Sequence, residues 1–146
     1  MTFAPVSPEP HLSRQEGDPL LQRLECRYVQ AMVDEKVYVV DRVVTKPGRA
    51  REFVDAYVTE YVPGGRTRGM TLDRILVSPP IWWADEPNTI TITWVVDGVD
   101  AWWDMTRRGR PDPELGRWWS RMDPMILDRT RSMAAAAEDV DGVCDV

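Results

Sequence analysis

Three aspartate-arginine dipeptides, Asp41-Arg42, Asp73-Arg74 and Asp128-Arg129, each follow an apolar residue inside a run patterned as a β-strand. Neighbours in a strand point to opposite faces, so each dipeptide is expected to set a carboxylate on one side and a guanidinium on the other, not to close as a local ion pair. Two roles are open to such groups. A charge ladder between adjacent strands would fix register or a subunit contact. Alternatively, a desolvated aspartate would serve as general base while an arginine or tyrosine holds a developing enolate or phenolate. For the second role the candidates are Asp41, Arg42 and Asp73, with Tyr38, Tyr57, Trp94 and Trp103 lining a substrate pocket.

What the chain lacks narrows the chemistry. Its single histidine, His11, lies among Pro5, Pro8 and Pro10 in a leader too proline-rich to pack, so a Ser-His-Asp triad, a His-ligated haem and a multi-His zinc site are excluded from the core. Cys26 and Cys144 are too few and too far apart for a metal or redox motif and are read as plain thiols. No cofactor is expected. A net charge of -6 argues against a nucleic-acid partner, whose phosphates need a basic footprint. No run approaches the roughly 18 to 20 apolar residues that cross a bilayer, and Met1 to Asp18 lacks the basic start and apolar centre of a secretory signal. A cytoplasmic location without membrane partners is therefore the expectation.

Five of the seven tryptophans fall between Gly69 and Met105. An indole offers a wide stacking surface and one donor, which suits a pocket for a flat apolar molecule. It equally suits a core. In the pairs Trp102-Trp103 and Trp118-Trp119, adjacent side chains on a helix lie about 100° apart, so only one of each pair can point straight inward.

These residues need elements to carry them. Val37 to Thr45, Met70 to Ser78 and Asn88 to Val96 alternate as strands, with Met70, Leu72, Arg74 and Leu76 on one face of the second and Thr71, Asp73, Ile75 and Val77 on the other. Lys46-Pro47-Gly48 turns the chain into a helix with an apolar stripe of Phe53, Val54, Tyr57, Val58 and Tyr61, which Pro63, Gly64 and Gly65 are expected to end. Asp97-Gly98 opens a helix with Trp102, Trp103 and Met105 that stops at Gly109. Asp112-Pro113 opens another with Leu115, Trp118, Trp119 and Met122, stopped by Pro124, before a last strand over Met125 to Ala135. Residues 1–17 read as a disordered leader, Pro19 to Val33 as an added amphipathic helix within a single domain over 18–136, and 137–146 as a frayed acidic tail.

The order β-α-β-β-α-(α)-β implies an α+β, ferredoxin-like antiparallel sheet with helices on one face and with its first and last strands adjacent. Asp41 and Arg42 are thereby expected to pair across to residues near Asp128 to Arg131. Val37, Val39, Val43 and the far side of the Ile90 to Val96 strand are expected to need cover on the remaining face, which a second copy would supply in a two-fold homodimer.

The segment Val37 to Met133 resembles the dimeric α/β-barrel superfamily, and within it the NIPSNAP-like and EthD-like branch. The resemblance rests on the strand entering Lys46-Pro47-Gly48-Arg49 and the Phe53 helix, on Trp82-Trp83 with Asn88-Thr89-Ile90, and on Trp94 leading to Trp118, Pro124 and Arg131-Ser132-Met133. Where relatives often carry an arginine in the first strand, this chain has Asp41. The resemblance implies a homodimer with a site for a small hydrophobic molecule between sheet and helices. It also implies cofactor-free chemistry on an aromatic or polycyclic ketone or phenol, by a cyclase or isomerase proton transfer or by oxygenation. The competing reading is a non-catalytic protein that sequesters a hydrophobic ligand or scaffolds a partner.

Overall fold

A computed structural model describes residues 35–143. The chain divides into two units, Met1–Val33 and Asp34–Val146, and everything below concerns the second. The leader and the helix expected over Pro19 to Val33 lie outside the described residues.

Four strands, β1 (Lys36–Thr45), β2 (Thr71–Ser78), β3 (Thr89–Asp97) and β4 (Ile126–Ala134), form one antiparallel sheet in the order β2-β3-β1-β4. Between β1 and β2 runs a helical rod of three segments: α1 (Ala50–Ala56), a π-helical turn (Tyr57–Tyr61) and α2 (Val62–Thr67). Helices α3 (Gly98–Gly109) and α4 (Pro113–Met122) connect β3 to β4. This is the α+β, ferredoxin-like βαββαβ plan, with the sheet open and not closed into a barrel. Asp112 caps α4 by accepting from the Glu114 backbone N–H at 2.9 Å, as its place before Pro113 implies. Helical turns at Ala137–Asp139 and α5 (Val140–Val143) stand where a frayed tail is expected.

The core lies on one side of the sheet. Val37, Val39, Val43, Ile90, Ile92, Trp94 and Val96 are buried there with Phe53, Tyr57, Tyr61, Met105, Trp118 and Met122 of the helices. The face assignment thus corrects one expectation: the most apolar strand residues are those the helices cover. The uncovered face carries Tyr38, Val40, Arg42 and Val44 beside Thr89, Thr91, Thr93 and Val95, which are half-buried apart from the exposed Arg42.

Two local departures from the sequence pattern matter for the site. In β2 the register shifts between Leu72 and Arg74, so a β-bulge inserts Asp73 and inverts the alternation. Leu72, Ile75 and Val77 consequently oppose the buried Trp94, Ile92 and Ile90, whereas strict period 2 would separate Leu72 from the other two. The second departure concerns the helix breakers. Pro63, Gly64 and Gly65 do not stop the rod but sit inside α2. The preceding π-helical turn, in which the Val62 N–H bonds to the Tyr57 carbonyl, shifts the ladder just ahead of the proline's missing donor. Gly65 is required by packing, because a Cβ there would stand 2.6 Å from the Trp94 ring.

That contact makes two glycines of the same helical type behave oppositely. Gly65→Ala overpacks against Trp94 and is expected to cost about 1–3 kcal/mol in denaturant unfolding. Gly116→Ala, on the exposed side of α4 where a Cβ meets nothing within 4 Å, is expected to stabilise by about 0.5–1 kcal/mol in the same assay.

Candidate functional site

The sheet delivers Asp41 to the middle of the covered face, fully buried at 0% exposure. An isolated carboxylate there would be costly, and the residue directly across on β4 resolves it. Arg131 donates from Nε to Asp41 Oδ1 at 2.6 Å and from Nη2 to Oδ2 at 2.7 Å, a bidentate pair. Arg131 Nη2 also donates to the Tyr61 hydroxyl at 2.9 Å. On the other side, Trp94 Nε1 donates to the Tyr57 hydroxyl at 2.7 Å, and that hydroxyl donates to Asp41 Oδ2 at 3.4 Å. A chain of polar contacts therefore runs Trp94, Tyr57, Asp41, Arg131, Tyr61 through an aromatic core. Tyr57 and Tyr61 stack at 4.6 Å, with Trp118 5.6 and 5.0 Å from them.

Both tyrosines belong to the π-helical turn. Tyr57 and Tyr61 stand at its two ends, four positions apart and so on one face of the rod, and reach opposite ends of the Asp41–Arg131 pair. Burial, together with the neighbouring Asp41 and Tyr61, pushes the Tyr57 hydroxyl well above the ordinary tyrosine range. For Arg131, burial works against the charge, but the hydrogen bonds and charge of Asp41 outweigh it and hold the guanidinium firmly cationic.

Next to this network lies a groove of about 420 Å³ between α3, the start of α4 and β4. Its walls are Val39, Trp102, Met105, Leu115 and Met133, and its polar lining includes Arg68, Arg110 and Arg131. A smaller cavity of about 160 Å³, bounded by Glu60, Asp112 and Glu114, lies on the other side of Arg68.

Of the seven residues named from sequence, the structure brings together Asp41, Tyr57 and Trp94. Arg42 lies on the uncovered face and meets Asp128 at 3.5 Å, so the expected cross-strand pairing with the last strand holds for both members of the dipeptide. Tyr38 is on that same face, away from the network. Asp73 is at the bulge in edge strand β2, where its carboxylate pairs with its own neighbour, Arg74, at 2.7 Å. The bulge breaks the alternation that would have separated them. Trp103 is 46% exposed, and it is Trp102 that lines the groove. The sequence reading passed over Tyr61, Arg68 and Trp102, and gave Arg131 only as one of several possible strand partners; spacing held no sign of Arg68, which follows α2.

No family model matches this chain, and no curated protein matches it. Among solved structures it is similar to a NIPSNAP family protein of unknown function from Agrobacterium tumefaciens str. C58, with a TM-score of 0.57, 13% identity, and coverage of 71% of this chain and 90% of that one. It is also similar to an uncharacterized NIPSNAP domain protein from Burkholderia xenovorans, with a TM-score of 0.55, 16% identity, and coverage of 69% and 94%. This chain has the NIPSNAP fold. At such identities the likeness speaks for the NIPSNAP-like architecture alone, and the chemistry rests on the residues above. Among the described residues no helix is long and apolar enough to cross a membrane, and no group of three or more His, Cys, Asp or Glu is gathered to hold a metal.

Removing one member of the central pair strands the other. Arg131→Met leaves Asp41 uncompensated and is expected to cost about 3 kcal/mol, the low end of the range for buried pairs because the arginine side chain is 38% exposed. The double variant Asp41→Leu/Arg131→Met is expected to lose less than that single, as read by urea melts. Tyr57 gives a pH signature. Its folded pKa lies above the unfolded value near 10, so the stability it contributes is complete below about pH 10 and falls above it, as the unfolded chain gives up the proton first. Tyr57→Phe is expected to flatten this alkaline decline by up to about 1.4 kcal/mol per pH unit, measured by melts between pH 9 and 11.

Proposed function

We propose that this protein binds a small, largely apolar molecule in the groove between α3 and β4, with Arg131 as a polar contact at its floor. One observation carries the reading: a groove of about 420 Å³ with apolar walls abuts a guanidinium that Asp41 holds rigidly in place. That volume lies within the usual range of small-molecule sites, about 300–1,000 Å³. A fixed guanidinium loses little side-chain entropy when it donates a hydrogen bond to a ligand oxygen.

The same arginine favours a catalytic version of this reading. A ketone or phenol oxygen on Arg131 would gain charge as an α-proton leaves, and a preorganised donor stabilises that charge more than the ground state. In this version Asp41 aims Arg131 while water in the groove takes the proton, since Asp41 is fully buried with both oxygens engaged and neither it nor Tyr57 lines the groove. Cyclase or isomerase chemistry, or oxygenation without a cofactor, would follow on a polycyclic substrate. A second copy packed on the half-buried Tyr38, Val40, Val44 and Val95 face would complete a homodimer and stiffen β1 behind the site.

Calorimetry with 2-acetonaphthone, a flat neutral ketone, tests the groove. Met133→Asp, which sets a carboxylate in the half-exposed wall, is expected to weaken binding at least tenfold, while Trp103→Ser on the outer side of α3 leaves it unchanged. Equal binding by both variants, or none by the wild type, defeats the reading. The catalytic version requires protein-dependent deuterium uptake into the acetyl methyl that drops with Arg131→Met. Uptake unaltered by Asp41→Asn removes Asp41 as the residue that aims Arg131.

A further inference from the structure

Among the described residues, Arg68 is the side chain with a buried nitrogen that finds no hydrogen-bond partner. It follows directly on α2, its backbone N–H bonded to the Gly64 and Gly65 carbonyls, and it is only 9% exposed. Long cationic side chains usually keep the head in water and bury the stem. Here the head is buried as well. Its Nη2 is enclosed and has no hydrogen-bond partner among the described residues, and none of the ion pairs formed among them includes it.

The seat of this guanidinium is shaped by its neighbours. A Cβ on Gly64 would lie 3.2 Å from Arg68 Nη1, tighter than ordinary contact, so this glycine leaves room for the head, while Gly109 on α3 lies in ordinary contact range of the stem. The guanidinium carbon lies 5.5 Å from the centre of the Tyr61 ring, the same ring whose hydroxyl accepts from Arg131. Stacking of this kind supplies part of the lost hydration but gives the N–H groups no acceptor. A buried donor left unpaired is costly, and a charged one more so.

Charge around the groove points the same way. Arg68, Arg110 and Arg131 contribute to its lining, and no acidic residue does, in a chain whose net charge is -6. Arg131 is already neutralised by Asp41, which leaves Arg68 as the enclosed positive charge at this wall. The acidic side chains near Arg68 belong to the smaller cavity, where Glu60 is taken by Trp118 and Arg121, at 2.9 and 3.3 Å, Glu114 by Arg117, and Asp112 accepts from the Glu114 backbone N–H as the cap of α4.

We propose that the groove takes an apolar monocarboxylate, the carboxylate received by Arg68 and the body lying against Trp102, Met105, Leu115 and Met133. This deepens the small-molecule reading of the same groove and rests on it. A carboxylate at the wall that Arg68 lines supplies what this guanidinium lacks: a counter-charge, in a contact shorter and stronger than a carbonyl oxygen makes.

The test compares 2-naphthoate with 2-acetonaphthone, two probes of the same flat body that differ in the charged head, on the full chain by calorimetry. Wild-type protein is expected to bind naphthoate at least tenfold more tightly than the ketone at pH 7. Arg68→Met keeps the stem and removes the head. It is expected to abolish that preference while retaining ketone binding within about threefold, and Arg68→Lys to restore part of the preference. Wild-type protein that binds both probes equally, or Arg68→Met that keeps the full preference, overturns the carboxylate proposal and leaves the groove reading standing. Wild-type protein that binds neither probe overturns both. Should Arg68→Met fail to fold, the wild-type ratio together with Arg68→Lys decides the matter: an unchanged ratio in the lysine variant counts against a bidentate role for Arg68.

Discussion

The constraint on which this domain depends is the burial of one carboxylate. Asp41 sits at 0% exposure in the middle of a central strand, and the fold must supply a cation within reach of both its oxygens. A strand beside β1 can do so, and of its two neighbours β3 sets Ile92 opposite Asp41. The ferredoxin-like topology places β4 on the other side, with Arg131 directly opposite. A slip of one residue in β4 would turn Arg131 to the uncovered face and leave Asp41 unpaired, so the ion pair fixes register as well as charge. Its value is specificity: a hydrophobic pair of equal volume would hold the strands together without defining how they meet.

The aromatic residues follow from the same pair. Tyr57 donates to Asp41 and Tyr61 accepts from Arg131, the two tyrosines sharing one face of the rod at the ends of its π-helical turn. Trp94 supports Tyr57 from the sheet, and the rod approaches Trp94 closely only because Gly65 has no side chain. Features that would count as defects in isolation, a buried acid, a widened turn and glycines inside a helix, thus answer one another. The groove is what remains beside them: apolar on its walls, cationic in its polar lining, and fixed at its floor by the network.

Much of the architecture was legible in the chain because strands, turns and caps are local. Period-2 runs gave the four strands to within a few residues, Asp112-Pro113 gave a helix start, and the order of elements gave the neighbour relation between first and last strands, hence the pairing of Asp41 and Arg42 with Arg131 and Asp128. The site was less legible. Asp73 was misplaced because a β-bulge depends on the partner strand and leaves no periodic trace. Trp103 was preferred to Trp102 because the two differ only by a rotation of about 100° on the helix. Pro63, Gly64 and Gly65 read as a stop because propensity cannot see Trp94.

Sequence by itself determined the class of fold, the lack of histidine among residues 35–143, and the place of Asp41 inside a strand. These are properties of composition and short-range pattern. Which face is buried, which tyrosines close on the pair, and that Arg68 is enclosed beside an apolar groove were decided only in three dimensions. The physical reason is that burial and hydrogen-bond partnership are relations between residues as much as 90 positions apart, as Asp41 and Arg131 are, and such relations exist only once the chain has closed on itself.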